Sequence, residues 1–297
     1  MALRLQRFRV TIRSFALELP KRGRNEGRPL TLSECSMLFS SPNPQTMPPF
    51  PHLTKAPIAE AVIEIRVRMS RPVRPDCFAA FSARLKDQFP KAQNIRFLAS
   101  HLQFDSEEQV KSDVSNSLFG VRLDDTAGKW VVQGKSDGLA VSRLQPYESW
   151  DKLIVAVRDV WPVYVEIFQP EAVLRLGVRY INRVPLPMSE NLDLDLVLTG
   201  APKIPPALPQ GLTQFVTRVV LPIAAQGVVL TIVQALEPSG TDSAGVGGHV
   251  VLDIDAACEQ SFSPDGPEMW EKLGALREAK NVAFFGSLTE PTWKQFL

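Results

Sequence analysis

Glu60-Ala61-Val62-Ile63-Glu64-Ile65-Arg66-Val67-Arg68 aligns without a gap on Glu171-Ala172-Val173-Leu174-Arg175-Leu176-Gly177-Val178-Arg179, with five identities and two Ile/Leu exchanges. Both stretches alternate apolar and polar residues, the period-two pattern of a strand that is buried on one face. In the first, Ala61, Ile63, Ile65 and Val67 share a face and Glu64, Arg66 and Arg68 take the other. In the second, Leu174, Leu176, Val178 and Tyr180 oppose Arg175, Arg179 and Arg183. Two copies of one strand about a hundred residues apart raise the question of an internal repeat.

The segments that follow each copy answer it in the same order. After Ile58–Met69, a helix opens at Pro75-Asp76 and runs to about Phe89, with Phe78, Phe81, Leu85 and Phe89 on one stripe. Strands are expected at Ile95–Phe104, Leu118–Leu123, Lys129–Gln133 and Gly138–Leu144. The turns between them are Asp124-Asp125-Thr126-Ala127-Gly128 and Ser136-Asp137-Gly138. A long helix spans about Glu148–Phe168, where Pro162 should kink it or mark a break.

The second half reads as a strand at Ala172–Val184, a short helix at Glu190–Leu198 and a proline-rich connection over Ala201–Gln210. Strands at Phe215–Leu221, Val228–Leu236 and His249–Asp255 precede a helix from Pro267 to about Phe285. The expected fold is therefore α+β: two similar strand-helix-strands-helix halves, 51–169 and 170–297, forming one curved antiparallel sheet with its helices on one face.

Residues 1–50 stand apart. The first thirty carry eight basic side chains against Glu18 and Glu26, leaving 25 basic and 30 acidic groups in the rest of the chain. A linker-like run follows from Ser40 to Pro51, and Met47 precedes the first patterned segment. The segment reads as a disordered basic arm or as an over-extended gene start, with a targeting peptide as a third reading.

Composition narrows the function classes. Cys35, Cys77 and Cys258 form no CxxC pair, which points to a reducing, cytoplasmic setting and to neither a disulfide framework nor a zinc knuckle. His52, His101 and His249 lack metal-ligand spacing. The apolar stretch Val219–Leu236 is interrupted by Pro222, Gln226, Gly227 and Gln234 and reads as two strands and a turn, so no membrane insertion is expected. No G-x-S-x-G elbow occurs, and no cofactor is indicated.

Three features remain as candidate sites. Arg175, Arg179 and Arg183, with Arg66 and Arg68, form a ladder on the open sheet face suited to a carboxylate or phosphate partner, or else a solvated face neutralised by cross-strand ion pairs. Asp253 and Asp255 share a strand face and could hold a divalent metal, although turn or capping roles are commoner for such aspartates. The glycine-rich Ser239–Gly248 lacks the Lys-Ser/Thr ending of a nucleotide-binding loop and reads as a hairpin connection. Tyr147, Trp150, Trp161 and Tyr164 read as core aromatics of the long helix.

Leu53-Thr54-Lys55-Ala56-Pro57-Ile58-Ala59-Glu60-Ala61, Pro146-Tyr147-Glu148-Ser149-Trp150 and Arg175-Leu176-Gly177-Val178-Arg179-Tyr180-Ile181-Asn182-Arg183 together resemble a sporadically distributed family of prokaryotic proteins for which no activity is established. The resemblance runs from about Leu53 to the C-terminus. It implies a bacterial or archaeal source and an autonomous unit of that extent. Its sporadic distribution suggests an accessory factor of a defence or toxin-control locus.

The function expected from these readings is a non-enzymatic binding protein for an unknown protein or anionic ligand. Nucleic acid is the less favoured partner because the body is mildly acidic. The alternative is a metal-dependent enzyme acting on nucleotides or nucleic acid through Asp253 and Asp255.

Overall fold

The computed structural model describes residues 50–104, 110–186, 193–209, 212–238 and 248–297. The basic N-terminal segment and nearly all of the glycine-rich loop discussed above lie outside them. The described residues belong to one unit, Phe50–Leu297.

Nine strands form a single antiparallel sheet: β1 (Ile58–Met69), β2 (Lys91–Phe104), β3 (Val110–Asp124), β4 (Trp130–Lys135), β5 (Gly138–Leu144), β6 (Pro170–Pro185), β7 (Val216–Ile223), β8 (Val228–Pro238) and β9 (Gly248–Cys258). Their order, β2-β3-β4-β5-β1-β6-β9-β8-β7, puts the two strands of the aligned segments side by side at the centre. β1 and β6 pair over nearly their whole length, from Ile58 opposite Asn182 to Met69 opposite Pro170. Each has a second partner, β5 for β1 and β9 for β6, so the backbone donors and acceptors of both are engaged on both sides.

Alternation along these strands sorts the side chains as the sequence pattern requires. Ala61, Ile63, Ile65 and Val67 of β1 and Leu176, Val178 and Tyr180 of β6 are buried, while Arg66, Arg68, Arg179 and Arg183 are exposed. Val173 and Ala172 are also buried and Leu174 is 37% exposed, because the register against β1 slips here, Arg66 facing Arg175 and the next residue, Val67, facing Val173. The split therefore holds from Leu176 onward and fails at Leu174.

Helix α1 (Pro75–Arg84) begins with proline at a position that needs no backbone donor and carries Asp76 in its first turn. It stops short of Phe89, and Leu85 and Phe89 reach the core from the turns that follow it. Helix α2 (Trp150–Phe168) is capped by Ser149, whose hydroxyl accepts from the Lys152 amide, and closes on Gln169 in the left-handed region. Leu153, Val157, Val160, Trp161, Tyr164 and Phe168 form its buried stripe. The helix passes through Pro162 without a break: proline removes one backbone bond, and the buried rings on both sides of it keep the two segments on the core.

Helix α3 (Glu268–Ser287) lies on β6, β8 and β9, and the short α4 (Glu290–Lys294) ends the chain. The expected helix over Glu190–Leu198 is a single 3-10 turn at Leu194–Leu196, its first part falling outside the described residues. Val219–Leu236 is split between β7 and β8 by a turn at Ala224–Gly227, as the interruptions in its apolar run imply. Among the described residues no helix is long and apolar enough to cross a membrane.

The tight turn between β4 and β5 locks the first strands to β1. Gly138 has φ +151°, and a Cβ placed on it would lie 2.1 Å from the Ile65 carbonyl oxygen. Gly274, in the middle of α3, has open space around the equivalent position. Gly138→Ala is expected to lower unfolding free energy by about 2 kcal/mol or more, whereas Gly274→Ala should raise it by up to about 1 kcal/mol. Urea denaturation of the two variants checks this, and equal effects would contradict the close approach at β1.

Candidate functional site

The arginine face is the first place to look, and its geometry is that of a closed charge network. Arg175 donates from Nη1 to Glu64 Oε2 at 2.5 Å and from Nη2 to Asp255 Oδ2 at 2.8 Å. Glu64 also receives Lys135 at 3.2 Å, reaching across β5, and lies 3.3 Å from Arg66. Arg179 forms a bidentate pair with Asp253, Arg183 pairs with Glu237 and Arg68 pairs with Glu171. All five arginines singled out from the sequence thus have a carboxylate partner: on a neighbouring strand for Arg68, Arg175 and Arg179, across β9 on β8 for Arg183, and on its own strand for Arg66.

Local packing explains why Arg175 sits so well. A Cβ on Gly177 would fall 2.7 Å from Arg175 Nη1, so the glycine leaves the room in which the guanidinium lies flat. Burial raises the pKa of Glu64, and the nearby cations Lys135, Arg66 and Arg175 outweigh it, holding the carboxyl below its usual value. For Asp255 the balance goes the other way: burial pushes it up, and Arg175 and Arg179 only partly offset the rise.

Of the two readings of this face, the neutralised one describes the geometry. An incoming anion would have to displace carboxylates already in bidentate contact. Asp253 and Asp255 do share a face of β9, but each is held by a guanidinium, and a metal would have to compete with that cation. Among the described residues no group of three or more His, Cys, Asp and Glu side chains is arranged to hold a metal ion.

The other candidate lies where helix α3 packs beside the end of β6. A pocket of about 220 Å³ opens between the lead-in segment at Phe50–Ile58, the loop around Tyr147, the end of β6 and helix α3. Its walls include Tyr147, Tyr180, Asn182, Arg277 and Lys280, with the stacked rings of Phe50 and Phe285 on one side, centroids 4.7 Å apart.

Lys280 is the unusual member. It belongs to the buried stripe of α3, with Met269, Leu273, Leu276 and Phe284, and is only 9% exposed. Its ammonium nitrogen lies 4.0 Å from the centroid of the Tyr180 ring. Among the described residues no carboxylate is within ion-pair distance of it. Burial, reinforced by the positive charge of Arg277 and only weakly opposed by Glu278, pushes its pKa down to about 7. The guanidinium of Arg277 rests over the Trp150 ring at 5.6 Å, with Glu278 3.6 Å away.

Two further groups in the pocket have unused hydrogen-bonding capacity. The Tyr147 and Tyr180 hydroxyls are 2.8 Å apart, so whichever one accepts keeps its own proton for a third partner. Burial raises both phenols, Tyr147 to about 12, and both stay protonated near neutrality. Asn182 donates from Nδ2 to the carbonyls of Leu252 and Tyr180, which fixes the orientation of its amide. Its Oδ1 is buried with no partner. The pocket therefore brings a poorly compensated amine and a hydroxyl donor together.

Reading the sequence did not find this site. Tyr147 was assigned to the core with Trp161 and Tyr164, and it does stand against core residues, but its hydroxyl meets Tyr180 from β6. The usable signal was Lys280 itself, a lysine in phase with Met269, Leu273 and Leu276 on the buried stripe of a helix. Comparison with protein-family models finds no match, and neither does comparison with the curated proteins.

The ion network makes unequal demands on its members. Arg175 is 18% exposed and joins two carboxylates, whereas Arg68 and Arg183 are half exposed and each hold one. Arg175→Ala leaves Glu64 and Asp255 without a shared partner and should cost about 2 to 3 kcal/mol, against less than about 1 kcal/mol for Arg68→Ala or Arg183→Ala. Chemical denaturation measures all three, and a loss at Arg175 no larger than at Arg183 would show that the network contributes little.

Proposed function

We propose that the chain is a binding protein for a small anionic ligand, and that the ligand occupies the Tyr147–Tyr180–Lys280 pocket instead of the arginine face. The observation that carries this reading is Lys280: a buried amine faces a cavity, with an aromatic ring where a carboxylate would ordinarily be. A protein tolerates such a group at a cost in stability, and sites of this kind concentrate where a ligand completes the charge pairing. The spare tyrosine proton favours a ligand that also carries a hydrogen-bond acceptor.

The same reading takes the chain as two related halves. Outward from the β1/β6 seam, the runs β5-β4-β3 and β9-β8-β7 succeed one another in reverse chain order on both sides, which supports internal duplication. Helices α2 and α3 each follow the inner strand of one run, and both meet the buried side chains of the central strands, which supports helices gathered on a single face. On that view the pocket lies against the second half's helix near the seam, and the arginine network is the stabilising charge layer of the opposite face.

Calorimetry with acetate, malonate, succinate, glycolate and inorganic phosphate tests the proposal. At least one of them should bind wild type, should bind Lys280→Met at least about tenfold more weakly, and should bind Arg183→Ala unchanged. The sign of the pH effect follows from the amine. An anion favours the ammonium form, so the bound pKa lies above the free value of about 7. Affinity is therefore full below that value and falls as pH rises from 7 towards 9, with proton uptake on binding. Binding by none of the panel, or equal binding to Lys280→Met, would overturn the assignment.

A further inference from the structure

We propose that Lys280 captures a carbonyl compound covalently, so that the ligand of this pocket is an aldehyde or ketone bearing an acidic group. The inference rests on the pocket reading above and adds to it a bond-forming role for the amine.

Three features of the geometry point to this chemistry. The amine lies against an aromatic ring at the wall of a cavity, with no carboxylate within ion-pair distance among the described residues, and imine formation requires the amine in its neutral form. The paired hydroxyls of Tyr147 and Tyr180 supply a proton donor in the same cavity. Arg277, at the pocket wall, provides a separate handle for the acidic group of the ligand.

The titratable and charged groups around the amine come from each surrounding element: His52 from the lead-in segment, Tyr147 and Glu148 from the loop after β5, Asp151 from α2, Tyr180 from β6, and Arg277 and Glu278 from α3 itself. Arg277 disfavours the charged form and Glu278 favours it, the first effect being the larger.

The step balances without an outside oxidant or reductant. The Nζ lone pair attacks the carbonyl carbon while the carbonyl oxygen takes up a proton, for which the tyrosine pair is the donor. One nitrogen proton returns to the hydroxyl pair, which leaves a neutral carbinolamine. The pair then protonates the departing hydroxyl, which leaves as water, and takes the second nitrogen proton, so that a C=N bond remains and the pair is restored. No residue changes oxidation state. Reversal by water restores the amine and releases the ligand.

Glyoxylate, the smallest aldehyde with a carboxylate, is the probe. The full chain is incubated with it at pH 7.5, reduced with borohydride and analysed as intact protein and as peptides. The expected result is a single adduct on the peptide carrying Lys280, formed at least about tenfold faster than on exposed lysines. Lys152, Lys203 and Lys294 are the internal comparison, each more than half exposed. Lys280→Met should lose the adduct. The site mapping in wild type stands even if that variant folds poorly.

Labelling of Lys280 no faster than of the exposed lysines would overturn the proposal. A glycolate complex seen by calorimetry together with no trapped glyoxylate would refute the covalent step and leave the pocket reading intact. Failure of glyoxylate and of every anion in the panel would remove both.

Discussion

Everything in this molecule depends on the pairing of β1 with β6. The two strands run antiparallel from Ile58 and Asn182 to Met69 and Pro170, and each is already hydrogen-bonded on its other side. Without that seam the chain would be two smaller sheets, each with an exposed edge of unpaired backbone groups. With it, Ala61, Ile63 and Ile65 from one strand and Leu176, Val178 and Tyr180 from the other lie side by side in one core under the helices.

The seam also decides where charge is tolerated. On the face opposite the core, Lys135, Glu64, Arg175 and Asp255 link β4, β1, β6 and β9 into one chain of ion pairs that crosses it. Each positive group there has a negative neighbour, so the layer ties strands together and leaves little unspent attraction for a ligand. The core side has the opposite character at one point. Lys280 enters the apolar stripe of α3 and meets the Tyr180 ring, and among the described residues no carboxylate is within ion-pair distance of it. The contrast between the neutralised face and this buried amine is what supports the proposed pocket.

Much of the fold was legible because period-two alternation and turn chemistry act locally. β1 and β5 are bounded as their sequences predict, and Asp124–Gly128 and Ser136–Gly138 make the turns that their glycines suggest. The helix after Pro75 is shorter than its apolar stripe, because Leu85 and Phe89 can fill the core from a turn as well as from a helix. Which strands neighbour each other was not local information. The same gap explains the arginines: alternation put Arg175 and Arg179 on the correct face, but only the register against β9 and β1 shows that Asp253, Asp255 and Glu64 meet them. The pocket joins Tyr147, Tyr180, Asn182 and Lys280 from three separate parts of the chain, so spacing within any one motif could not reveal it.

The central claim is that burial in the apolar stripe of α3, with Arg277 close by, pushes the pKa of the Lys280 amine down to about 7. Its own titration tests this most directly. In protein with 13C-labelled lysine, the Lys280 Cε resonance, assigned by its disappearance in Lys280→Met, should shift with a midpoint near 7. A midpoint close to the ordinary lysine value of 10.5 would show that the amine is solvated or paired in solution, and the account of the pocket would fail.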